Sequence, residues 1–105
     1  MYCVTCLDHE NSEALRLENR PAHLEYVLSR ADEVSVAGPV TSEDGATMIG
    51  TVLLLKVDSR AEAQDFVDND PYNKAGLFAD ISVHRFKHLL GGLPDPNDAD
   101  PSEKG

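Results

Sequence analysis

Histidine and carboxylate are the commonest side chains of proton-transfer sites, and this chain carries them in two of three short, well-separated stretches. Arg20-Pro21-Ala22-His23-Leu24 supplies a histidine, Asp70-Pro71-Tyr72 a carboxylate beside a phenol, and Ala37-Gly38-Pro39 a bend between them. A second carboxylate, Asp8, follows the first apolar run of the chain. An imidazole held by a carboxylate is a competent general base, because the carboxylate fixes its tautomer and stabilises the imidazolium formed when it takes a proton. Each residue also has a plain structural role open to it: Asp70 as a helix cap, Asp8 as the end of a strand, His23 as a polar residue at the margin of a buried face.

The elements that must position these groups follow from periodicity and punctuation. Tyr2 to Leu7 alternates in a β-rich run and ends in the polar cluster Asp8-His9-Glu10-Asn11. Ser12 to Glu18 reads as a short helical piece. Pro21 then restarts a helix in which Leu24, Val27, Leu28 and Ala31 repeat at the spacing of one buried face. This places His23 in a first helical turn, where the positive end of the helix dipole disfavours its cation. Glu33 to Ala37 is a second strand ended by Gly38-Pro39, followed by a loop over Thr41 to Ala46. Thr51 to Val57 reads as a central strand, and Ser59 caps a helix from Ala61 to Asn69 with Ala63, Phe66 and Val67 inward. Asp70 caps one further turn opened by Pro71, and Ile81 to Phe86 alternates again as a last strand.

The order β-α-β-β-α-β predicts an α+β fold of ferredoxin-like type, an antiparallel sheet with helices on one face. In that topology the end of strand one, the start of helix one, the end of strand two and the turn after the second helix meet at one edge of the sheet. Asp8, His23, the Gly38-Pro39 bend and Asp70 are therefore expected to cluster.

The three stretches, in this order and spacing, resemble the signature of the YCII-like family, and the resemblance runs from Met1 to about Leu90. It implies a ferredoxin-like domain over residues 1–90 that pairs through its sheet into a homodimer, a dimeric α+β barrel. It also implies a His-Asp pair: His23 with Asp70 first, or with Asp8, since both aspartates match the pattern. The function implied is that of a cofactor-independent enzyme using general acid/base chemistry on a small organic molecule, in the manner of a lyase, isomerase or dehydrochlorinase. Arg20 and Tyr72 would bind substrate, with Gly38 and Pro39 shaping the wall. The alternative is a small-molecule-binding or dimerisation module without turnover.

Composition excludes other classes. With 19 acidic and 9 basic residues in 105, the net charge of −10 leaves no basic face for nucleic acid or an anionic membrane surface. No apolar run approaches the roughly 20 residues of a membrane helix, and no basic region precedes a hydrophobic stretch at the N-terminus, so a cytoplasmic protein is expected. Cys3 and Cys6 lie in a strand, where their spacing points them to opposite faces, and no redox or metal role is assigned to them. His84 and His88 straddle a strand end, and His9 with His23 and an aspartate lacks tetrahedral spacing, so no metal site is expected. No cofactor fingerprint is present. Residues 91–105, rich in proline and aspartate, read as a disordered tail.

Overall fold

The computed structural model describes residues 1–93; residues 94–105, most of the expected tail, lie outside them. Seven principal elements follow in order: β1 (Tyr2–Asp8), α1 (Glu13–Ser29), β2 (Val34–Thr41), β3 (Met48–Leu55), α2 (Arg60–Asp68), α3 (Pro71–Lys74) and β4 (Phe78–Arg85), with a single 3-10 turn at Ala31–Glu33. The sheet order is β2-β3-β1-β4, and every neighbouring pair is antiparallel. This is the ferredoxin-like arrangement that the element order predicts. Among the described residues no helix is long and apolar enough to cross a membrane.

Alternation along β1 builds the core. Tyr2, Val4 and Cys6 are buried under the helices with Leu53 and Leu55 of β3, Phe66 and Val67 of α2, and Tyr72 of α3. Cys3 and Thr5 point to the opposite, open face beside Val52 and Leu54. The two cysteines are free and on different faces, as their spacing requires. Gly50 is demanded by close approach of β1 and β3, since a Cβ there would collide with the Cys6 carbonyl oxygen.

Both cap assignments hold. The Ser59 hydroxyl accepts the Glu62 amide at 3.2 Å, and Asp70 accepts the Tyr72 amide at 2.9 Å with Pro71 at the first helical position.

Strands β3 and β4 each begin three residues earlier than expected, and two larger differences move the site. Helix α1 does not restart at Pro21 but runs through it from Glu13 to Ser29. Proline removes one helical hydrogen bond and crowds the preceding turn, at a cost of about 3 kcal/mol. Here it sits on the exposed side, as Leu17 one turn earlier does, while Arg16 and His23 anchor the inward side on either flank. His23 is therefore mid-helix, and the helix dipole supplies no argument about its charge. The apolar stripe expected to be buried faces outward instead: Leu24 is 44% and Leu28 74% exposed, Ala31 is exposed, and only Val27 packs against the core.

The second difference is β2, which continues through Gly38-Pro39 to Thr41 rather than ending there. It is an edge strand with a single partner, β3, so a proline at position 39 need not break a ladder bond.

Candidate active site

Helix α1 presents Arg16, Arg20 and His23 at i, i+4 and i+7, a single stripe facing the sheet edge where β1 ends and α3 begins. Opposite His23 stands Asp70, 1% exposed at the start of α3. His23 Nδ1 lies 2.8 Å from Asp70 Oδ1, and that same oxygen accepts the Tyr72 amide. An ionised carboxylate only accepts, so Nδ1 carries the proton of this bond and the lone pair of the imidazole sits on Nε2. No buried side-chain nitrogen or oxygen among the described residues lacks a partner, and Nε2 makes no bond of its own; it is therefore open to the adjoining pocket.

The His23 ring stacks on Tyr72, with centroids 4.0 Å apart and planes 14° from parallel, and Tyr72 meets Phe78 edge-on. Burial pushes the Tyr72 phenol above its ordinary value, opposed in part by Arg16 and Arg20, so near neutrality it remains a hydrogen-bond donor. The pocket, about 190 Å³, is walled by Arg20, His23, Tyr72, Ala37, Gly38 and Pro39 among others. Nothing lies within 4 Å of where a Gly38 Cβ would stand, so Gly38 forms open wall and not a tight contact.

Asp8 is elsewhere engaged. Its carboxylate is held by Arg16, Nε at 2.8 Å and a second guanidinium nitrogen at 3.3 Å, and Arg16 also donates to Thr51 Oγ1 at 2.8 Å. Of the two aspartates weighed as partner to His23, Asp70 makes the contact and Asp8 makes a buried ion pair with an arginine. Arg16 escapes a reading that breaks the helix at Pro21. Its seven-residue spacing from His23, two full turns of an unbroken helix, is the signal that would have found it. The Arg16 guanidinium also stands 4.6 Å from the Tyr72 ring centroid, a cation over an aromatic face. Cys6, beneath this cluster, has its thiol pushed up to about 12, chiefly by burial and further by Asp70 and Asp8, and so stays neutral near pH 7. Among the described residues no group of three or more histidine, cysteine or acidic side chains is arranged to hold a metal ion.

The model of the YCII-related domain matches residues 1–87. The chain belongs to the YCII-related family. Within it, the protein YciI of Escherichia coli is 33% identical over 97 residues, covering 86% of this chain and 99% of its own. A Haemophilus influenzae relative is 29% identical, covering 85% and 98%. A solved YCII-like structure, the 5-chloro-2-hydroxyhydroquinone dehydrochlorinase TftG of Burkholderia phenoliruptrix in complex with 2,5-dihydroxybenzoquinone, is 36% identical with a TM-score of 0.77, covering 84% of this chain and 94% of its own. The similarity thus extends across nearly the whole family domain.

Proposed function

We propose that this YCII-related protein is an acid/base enzyme that needs no cofactor and acts on a small hydroxylated ring or carbonyl compound. His23 is its base and Asp70 the partner that orients it. The observation that carries the proposal is the 2.8 Å contact of His23 Nδ1 with Asp70, which leaves Nε2 directed to a pocket of ring size. Arg20 and Tyr72 bind the substrate, and Gly38 and Pro39 bound it. The likeness to a dehydrochlorinase supports an elimination in particular. A ring hydroxyl first ketonises, its proton passing to the chlorine-bearing carbon. His23 Nε2 then takes the proton of the opposite hydroxyl, whose oxygen becomes a carbonyl as the ring double bond shifts and the carbon–chlorine bond breaks with its electron pair leaving on chloride, so that the net loss is H⁺ and Cl⁻ with no external oxidant.

The test is chloride release from 5-chloro-2-hydroxyhydroquinone, followed beside the spontaneous rate. Release by the wild-type protein no faster than by a His23→Gln variant would overturn the assignment. Asp70→Asn separates chemistry from folding. Asparagine is as good a helix cap as aspartate, so the melting temperature should move by only a few degrees. Turnover should fall at least tenfold, because a neutral amide neither fixes the imidazole tautomer nor compensates the imidazolium. Unchanged turnover in this variant would remove Asp70 from the mechanism.

We further propose that the protein acts as a homodimer joined through the open face of its sheet, where Cys3, Val36, Val52 and Leu54 are half-buried with no helix above them. Packing two such faces covers apolar surface that a single copy leaves to water. Sedimentation is expected at twice the chain mass of 11.4 kDa, with Leu54→Lys shifting it to one. A wild-type monomer at micromolar concentration would refute this.

A further inference from the structure

A second hollow, about 300 Å³, adjoins the His23 pocket and shares Arg16, Arg20 and Met48 with it. Its own lining is Leu17 and Ala46 with Thr47 and the carboxylate of Glu13. The two arginines of the shared wall differ. The charge of Arg16 is matched by Asp8, with a further bond to Thr51, whereas Arg20 makes no ion pair or side-chain hydrogen bond with any described residue. In a chain of net charge −10, a cation left unpaired at the junction of two cavities is a site for an anion. Glu13 repels a second anion from the outer hollow. Leu17 is 69% and Met48 40% exposed, apolar area that a ligand lying there would remove from water.

Size agrees with this division. A cavity of about 150 Å³ holds one benzene, so the His23 pocket takes a single substituted ring and the outer hollow takes what the ring carries.

Building on the acid/base reading of the His23 pocket, we propose that the substrate is an aromatic acid with an apolar side chain. Its hydroxylated ring lies at His23, its carboxylate meets Arg20 at the junction, and its chain runs over Leu17, Ala46 and Met48.

Three probes test this on the full chain by calorimetry, with the His23 imidazole signal followed by NMR: 2-hydroxybenzoate, 2-hydroxy-6-pentylbenzoate, and 3-pentylphenol, which keeps the chain and lacks the acid. The pentyl acid is expected to bind at least tenfold tighter than 2-hydroxybenzoate. Leu17→Ser, a neutral change at a largely exposed position and therefore compatible with folding, should erase that gain and leave 2-hydroxybenzoate binding unchanged. Arg20→Gln should weaken both acids about tenfold and leave 3-pentylphenol unaffected. A pentyl chain that adds nothing, or a gain that survives Leu17→Ser, overturns the outer hollow as a binding site. If 2-hydroxybenzoate still moves the His23 signal in that case, the His23 reading stands alone. If the chain and carboxylate dependences appear but His23→Gln leaves chloride release unaltered, the two-cavity site stands and the acid/base reading falls.

Discussion

Replacing His23 with glutamine is expected to lower turnover by about 10²- to 10⁴-fold, the contribution of a positioned general base. Glutamine keeps an N–H that can reach Asp70, so the buried carboxylate is not stranded and the fold should persist. What is lost is the Nε2 lone pair. The effect should fall on kcat and leave the affinity for a non-reacting ring within a few fold, because the base acts in the transition state and contributes little to ground-state binding. Turnover by a His23→Ala variant should be partly restored by added imidazole, which a merely structural histidine would not show. A loss of less than about fivefold, with no rescue, would remove His23 from the chemistry.

The second large effect is on stability. Arg16 and Asp8 form a pair whose side chains are 7% and 5% exposed. Arg16→Met leaves the Asp8 carboxylate buried without its partner, and breaking such a pair from one side costs about 3–5 kcal/mol. Removing both charges, with Asp8→Leu added, should recover much of that loss, since a buried ion pair is often no more stable than an apolar one of similar volume. The measurement is a urea melt of the two single variants and the double variant. Additive losses would mean that the two groups do not interact energetically, contrary to their 2.8 Å contact. Arg16→Met should also depress turnover by loosening Tyr72, against which the guanidinium and the His23 ring both rest.

The features legible from the chain alone were those with local physical causes. Ser59 and Asp70 cap helices because their short side chains reach the amides that follow, and β1 alternates because one of its faces is buried. Topology then carried His23 to Asp70 across 47 positions of sequence. What could not be read was set by tertiary context. Pro21 stops a helix in isolation, but here packing on both flanks holds the turn that proline weakens. The inward face of α1 carries Arg16 and His23 beside the partly buried Leu15, Tyr26 and Val27, so the apolar spacing of Leu24 and Leu28 marks the outward face, opposite to the usual rule. Pro39 looks like a strand terminator and would be one in a central strand; only its place at the sheet edge makes it harmless. The choice between Asp8 and Asp70 turned on Arg16, a residue whose importance depends on reading α1 as continuous.

A single oxygen atom, Asp70 Oδ1, both caps α3 and holds the imidazole. Residue 70 is thereby exposed to two filters whenever it mutates. Asparagine passes the first and fails the second; glutamate carries the charge on a stem too long to reach back to the Tyr72 amide; alanine fails both. None of these three changes meets both requirements, so one atom couples the local fold of α3 to the placing of the imidazole.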